Sequence, residues 1–167
     1  MIETLETYCA RPNQRFVCYG AGGKKSQTYT AHVKHMLHAP ADPGDLRHLQ
    51  FELGDLAEQF LAFYSRHDGA LLFADTLSDT AGFRLGHVAD WERLTREMMG
   101  WWDMLVQEGR EDENMDWLET AIAFGEVPHS GNYFAIAREG TRRGSIIYSR
   151  HDGLECDTYA KDLFSFL

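Results

Sequence analysis

The residues best suited to chemistry in this chain are two His-Asp pairs, His67-Asp68 and His151-Asp152. Both lie in the same string, Tyr-Ser-Arg-His-Asp-Gly, which occurs at residues 64–69 and again at residues 148–153. A His-Asp dyad can serve a metal-dependent hydrolase, but that chemistry needs further His and Asp ligands that converge from several helices. The alternative is a turn, because Asp-Gly tolerates left-handed backbone and an Asp side chain bonds nearby amides. We interpret both copies as turns, and we expect no metal and no other cofactor.

The repeated string does not indicate a duplicated domain. The first copy follows a helical pattern at residues 57–63, whereas the second follows a strand-like pattern at residues 141–147. The two flanks do not match, and the copies are much farther apart than the period of a solenoid repeat. Each copy is therefore expected to have its own local role.

Other catalytic motifs are absent from the sequence, including a nucleophile elbow, H-E-x-x-H, C-x-x-C and a dinucleotide fingerprint. The stretch at residues 20–26, Gly-Ala-Gly-Gly-Lys-Lys-Ser, departs from the phosphate-binding loop because two lysines separate Gly23 from Ser26. The residues that follow alternate like a strand instead of opening a helix. We therefore predict a β-hairpin with this stretch at its tip.

Three histidines follow at a spacing of three residues, His32, His35 and His38. On a helix they would share one face and could resemble metal ligands. On the predicted strand, His32 and His38 share a face and His35 lies on the other. We interpret them as surface histidines.

Composition and charge narrow the class of protein. The 167 residues, 44% of them hydrophobic, fit one folded domain. A net charge of -10 disfavours nucleic-acid binding, and no stretch of about 18 apolar residues predicts a membrane span. The first residues lack a secretion signal, and Cys9, Cys18 and Cys156 are interpreted as reduced thiols. A cytoplasmic location is expected.

Hydrophobic periodicity predicts a helix that opens at Gly54, runs into the first copy of the repeated string and is stopped by Gly69. It also predicts a helix over residues 91–108 and a terminal helix capped by Asp157-Thr158. Trp101 and Trp102 point about 100° apart on the second helix, so only one of them can be central to the core. Residues 1–12 show little pattern. The predicted strands cover residues 15–19, 27–33, 70–73, 83–88, 121–124, 133–137 and 145–148.

From about residue 50 onwards, five successive motifs occur in a recognisable order. They are the strings Phe60-Leu61-Ala62-Phe63-Tyr64 to Leu72, Gly82-Phe83-Arg84-Leu85 to Leu94, Ile122-Ala123-Phe124-Gly125 to Ile136, Gly144-Ser145-Ile146-Ile147-Tyr148, and Tyr159 to Leu167. This order resembles the SUKH superfamily, the Smi/Knr-type domain. The chain departs from that pattern at Leu53-Gly54, where a Leu-Pro pair is common, and at Gly131-Asn132, where Gly-Asp is common. Residues 1–40 have no counterpart and are interpreted as a hairpin extension of one domain spanning 1–167.

The resemblance implies an α+β domain with a mixed or antiparallel sheet and helices on one side. It also implies a non-enzymatic protein, since many bacterial members are immunity proteins that bind and neutralise a toxin from a competition system. A scaffold module without a toxin partner fits the sequence equally well. A small hydrolase using the two His-Asp pairs is the third alternative.

An acidic segment at residues 108–119 is the candidate partner-binding surface. An acidic surface suits a basic partner such as a nuclease toxin, and an aromatic side chain ringed by charge is common at the centre of an interface. The alternative is that Trp117 is a core residue and the acids form a solvated loop. The residues proposed to bind the partner are Glu111, Asp112, Glu113, Asp116 and Trp117.

Overall fold

Each strand of the structure pairs antiparallel with the strand that follows it in the chain, so that eight strands form one sheet in sequential order. The structure is a computed structural model that describes residues 1–12, 14–19, 28–77, 82–107, 117–151 and 156–167. The strands are β1 (Gln14–Tyr19), β2 (Thr28–Leu37), β3 (Ala70–Asp75), β4 (Phe83–Leu85), β5 (Ile122–Val127), β6 (Asn132–Ile136), β7 (Ile146–Ser149) and β8 (Cys156–Ala160).

The helices are α1 (Ile2–Cys9), α2 (Pro43–Leu53), α3 (Ala57–Tyr64), α4 (Trp91–Gln107) and α5 (Leu163–Phe166). Short 3₁₀ turns at Gly54–Leu56 and Val88–Asp90 lead into α3 and α4, and a third lies at Leu118–Thr120. The predicted α+β class and antiparallel sheet are confirmed. Within the described ranges, no helix has the length and apolar character needed to cross a membrane.

The predicted N-terminal hairpin is present. β1 and β2 pair antiparallel from Gln14 with Val33 to Tyr19 with Thr28, and β2 continues the sheet by pairing with β3. The glycine-rich stretch predicted at the hairpin tip lies outside the described residues.

The central strands β5, β6 and β7 are covered on both faces. Alternate residues of each strand belong to two different apolar clusters, as the period of two in a strand requires. One face, with Phe124, Phe134 and Ile146, packs against α3 and α5. The other, with Ala123, Ala135 and Ile147, packs against α4. The prediction that all helices lie on one side was therefore wrong for α4.

Two helices near the N-terminus were not predicted. α2 begins at Pro43 and is capped by Asp42, whose Oδ1 accepts a hydrogen bond from the Gly44 N–H at 2.7 Å. Proline at the first helical position and a capping Asp before it are an ordinary helix start. α1 has a single buried residue, Leu5, so it has no apolar stripe from which to predict it.

The predicted terminal helix begins later than expected. The residues after Cys156 form β8, which pairs with β7, and the helix cap is Asp162 instead of Asp157. The Asp162 carboxylate accepts a hydrogen bond from the Ser165 N–H at 2.7 Å, which lowers its pKa. Because the helix begins only after Asp162, the residues before it can form β8 at the edge of the sheet.

The first copy of the repeated string ends at a glycine that the packing requires. Gly69 has a φ of 89°, and a Cβ on it would lie 2.5 Å from the Leu85 carbonyl oxygen. By contrast, a Cβ on Gly100 in α4 would have no atom within 4 Å. The same substitution is therefore expected to have opposite effects at the two positions.

We predict that Gly69→Ala lowers the free energy of unfolding by more than about 2 kcal/mol, since the left-handed backbone alone costs about 1–2 kcal/mol. Gly100→Ala should raise it by about 0.5–1 kcal/mol, because alanine favours a helix interior over glycine. Urea unfolding of the two variants measures both effects, and a loss of stability in Gly100→Ala would contradict the packing described for α4.

Candidate partner-binding surface

In the first copy of the repeated string, His67 joins the N-terminal helix to α3. Its Nδ1 donates to the His38 carbonyl oxygen at 3.1 Å, and its Nε2 lies 2.7 Å from Oε1 of Glu6 on α1. Arg66 pairs with the other oxygen of the same carboxylate at 2.7 Å. The hydrogen bond with His67 is the main reason why the pKa of Glu6 is lowered. His67 is therefore part of a structural latch.

Asp68 holds the connection between β4 and α4. Its Oδ1 accepts from the Val88 N–H at 2.9 Å, and its Oδ2 accepts from Nδ1 of His87 at 3.0 Å. The His87 ring lies against His38, with 4.6 Å between the ring centroids. Burial, followed by the neighbouring His87, lowers the pKa of His38. The carboxylate is thus used to fix the start of α4.

The second copy has different surroundings. Nδ1 and the backbone N–H of His151 both lie within hydrogen-bond distance of the Asn132 Oδ1, and the His151 ring packs on Trp101 of α4. Asp152 lies outside the described residues. His67 and Asp68 bond to Glu6, His38, His87 and Val88, whereas His151 bonds to Asn132. The described ranges contain no group of three His, Cys, Asp or Glu residues placed to hold a metal ion. The geometry gives no support to the hydrolase alternative.

The histidines of β2 are not equivalent. His35 is half-buried and accepts a hydrogen bond at Nδ1 from the Phe73 N–H at 3.1 Å, so its proton lies on Nε2 and faces the Gln14 Oε1. Phe73 has a φ of 55°, a left-handed conformation that is costly for a bulky residue. His35 therefore stabilises a strained position, and its interpretation as a surface residue is corrected.

An apolar cavity of about 450 Å³ lies beside this strained position. It is bounded by α1, β3, β4 and the C-terminal residues, so residues 1–12 close one side of it. The rings that line it belong to Tyr8, His35, Phe73, Phe83, Tyr159 and Phe166.

Trp117 is a core residue. Its side chain is fully buried in the cluster that joins α4 to β5 and β6, and the Arg142 guanidinium lies 5.8 Å from the centre of its ring. The interpretation of Trp117 as a surface contact is therefore corrected. The structure agrees with the alternative, in which Trp117 is a core residue. Glu111, Asp112, Glu113 and Asp116 lie outside the described residues, and their role in partner binding stays a prediction.

Trp101 on α4 is the tryptophan whose side chain is exposed. Leu94, Met98 and Trp102 form the buried stripe of α4, with Trp102 donating to the Ser149 Oγ at 3.2 Å. Trp101 lies one residue off that stripe and is 37% exposed, and Met104, one turn later, is 41% exposed. The predicted division between one buried and one surface tryptophan is confirmed, and the i, i+4, i+8 spacing of the stripe could have assigned it.

The fold defines an α+β class in which a continuous antiparallel meander is covered by helices on both faces. The model of the SMI1/KNR4 family (SUKH-1) matches residues 40–167, and the chain belongs to that family. This confirms the resemblance drawn from the motifs, and the family is generally one of non-enzymatic binding domains. The chain has no match among curated proteins. α1, β1 and β2 precede the matched region.

Burial lowers the pKa of His35, so its neutral form stabilises the fold fully above the ordinary histidine value of about 6.5. This contribution should be lost as the pH falls below that value, because the unfolded chain binds the proton more readily. We predict that stability rises between pH 5 and pH 7, and that His35→Asn makes the rise smaller. The free energy of unfolding, measured by urea titration at each pH, tests this; an unchanged slope in the variant would contradict it.

Asp68→Ala should lower the free energy of unfolding by about 2 kcal/mol, since it removes two hydrogen bonds to a carboxylate that is mostly buried. Asp68→Asn should have a smaller effect, because one oxygen can still accept from the Val88 N–H. The matched control is Asp103→Ala on the exposed side of α4, which should change stability by less than about 0.5 kcal/mol. Equal losses for Asp68→Ala and the control would show that the two hydrogen bonds of Asp68 do not stabilise the fold.

Proposed function

We propose that this protein is a cytoplasmic immunity protein, a non-enzymatic domain that binds and neutralises a cognate toxin. Membership of the SUKH-1 family supports the class of binding domain. Binding of a toxin is a further step of the proposal. The charge of the chain indicates the chemistry of that partner.

The uneven distribution of charge is the observation that carries the proposal. Residues 97–119 hold eight carboxylates against the single cation Arg110, a net charge of -7 out of -10 for the whole chain. This stretch begins within α4 and ends two residues after the buried Trp117. Such a concentration of one sign would speed association with a basic protein and disfavour acidic ones.

A basic nuclease or another basic toxin domain is the partner that this charge fits. A domain that acts on nucleic acid carries cationic side chains around its active site, and an acidic protein could cover them. Neutralisation then requires only a tight complex, so the immunity protein needs no catalytic residues of its own. The commitment of His67 and Asp68 to structural hydrogen bonds agrees with this mode of action.

Capture on the immobilised full chain from the native host, followed by mass spectrometry, tests the partner. We expect a basic protein whose toxic activity is lost when the two proteins are mixed. A toxin reading frame directly upstream would agree with this result. Recovery of an acidic or non-toxic host protein alone would contradict the immunity role and favour a scaffold module.

Charge reversal tests the surface. Glu111→Lys, Asp112→Lys and Glu113→Lys, combined in one variant, should slow association with the captured partner about 10-fold or more at low salt. The matched control combines Glu3→Lys, Glu58→Lys and Glu139→Lys, three exposed acids outside the segment, and changes the net charge equally. Stopped-flow association rates at several salt concentrations separate the two. Equal slowing in both variants would remove the acidic segment as the contact surface.

A further inference from the structure

The side chain of Trp101 is partly exposed but packs against neighbouring residues. The edge of its ring approaches Gly131 closely enough that a Cβ there would lie 3.3 Å away, and the ring meets His151 with 5.6 Å between centroids. Tyr133 lies on the neighbouring strand β6, and its pKa is raised by burial and then by Glu97 and Glu126.

A fixed aromatic ring is suited to binding because little side-chain entropy remains to be lost. Glu97 completes the arrangement, since its carboxylate lies 3.5 Å from the Tyr133 hydroxyl and is paired with Arg93 at 2.9 Å. The indole is therefore in contact with His151 and close to Gly131 before any partner arrives.

The apolar surface extends along α4 beyond the indole. Met104 lies one turn further on, and both side chains are among the exposed large apolar residues of the chain. Together, Trp101 and Met104 form what we name the Trp101 ridge. Gly100 precedes Trp101 in the chain and has open space where a Cβ would lie.

The charges that α4 carries beyond the Arg93–Glu97 pair are negative. No lysine or arginine occurs from Glu97 to Gln107, Asp103 is exposed, and the acidic segment follows directly after Gln107. A guanidinium group is attracted both by the carboxylates and by the face of an indole, and arginine stacks on aromatic rings better than lysine does. The charge and the shape of the ridge thus fit the same side chain.

We propose that the Trp101 ridge is the central contact of the interface and receives an arginine side chain from a basic protein partner. The guanidinium packs on the face of the indole, and the aliphatic part of the arginine lies along Met104. This rests on the proposed function for the identity of the partner. It replaces the buried Trp117 with Trp101 as the aromatic centre of the acidic surface.

Binding of the captured partner tests the ridge. Trp101→Ala should weaken the affinity about 30-fold or more, as for other aromatic side chains at interface centres, while Phe51→Ala should change it less than about 3-fold. Phe51 is the matched control because it is a large apolar residue, 83% exposed, on α2. Equal losses in the two variants, or none in Trp101→Ala, would overturn the proposal.

A second pair of variants leaves Trp101 in place. Gly100→Lys adds a cation beside the indole at a position with open space, and it should weaken binding about 10-fold or more through like-charge repulsion. Gly100→Ala has the same backbone change without the charge and should bind as the unaltered protein does. Thermal unfolding of both variants verifies that each is folded. Equal affinities for Gly100→Lys and Gly100→Ala would also overturn the proposal.

A peptide probe separates the ridge from the immunity role. Nona-arginine, titrated into protein labelled with ¹⁵N-tryptophan, should shift the Trp101 indole signal more than nona-lysine of equal charge does. If this occurs but no toxin is captured, the ridge stands and the immunity role fails. If nona-arginine leaves the Trp101 signal unmoved or shifts it no more than nona-lysine, the proposed contact is wrong even if a toxin is captured.

Discussion

The fold depends on the burial of β5, β6 and β7 from both sides. A strand covered on both faces cannot alternate apolar and polar residues, so nearly every position in these strands is apolar. The two faces nevertheless differ in size. The residues that face α3 and α5 are large, and those that face α4 are mostly alanines. The large residues are Ile122, Phe124, Phe134, Ile136 and Ile146, and the alanines are Ala121, Ala123, Ala135 and Ala137.

The alanine face determines what α4 can bury. Small residues on this face of the sheet leave space for large side chains above it. Met98 and Trp102 of α4, together with Trp117, fill that space. The Thr95 Oγ1 also accepts a hydrogen bond from the Ala123 N–H at 2.9 Å, where β5 extends past the short β4. Once Trp102 is central to this cluster, its neighbour Trp101 must lie at the margin. The exposure of Trp101 is thus a consequence of how the sheet is packed.

Much of this arrangement could be predicted from the sequence, and the failures have physical causes. Local sequence patterns predicted seven of the strands and the helices α3 and α4, because their periodicity and turn residues agree with the final fold. Trp117 could not be assigned, since the sequence places it among carboxylates and only long-range packing against α4 buries it. Coverage of the opposite face of the sheet by α4 could not be predicted either, because a continuous apolar strand does not show which helix will cover it. The role of Asp68 depends on Val88 and His87, which come close only when α3, β4 and α4 are assembled.

The sequential order of the strands has a consequence for how such a chain can change in evolution. In a sheet where each strand pairs with its neighbour in the chain, a hairpin can be added at the end without rethreading any other connection. β1 and β2 lie before the region matched by the family model, and they extend the sheet beyond β3. In this sheet β3 is an internal strand because β2 pairs with it, and β1 forms the edge. Growth of the fold at its N-terminal margin is therefore compatible with an unaltered arrangement of α4 and the strands beneath it.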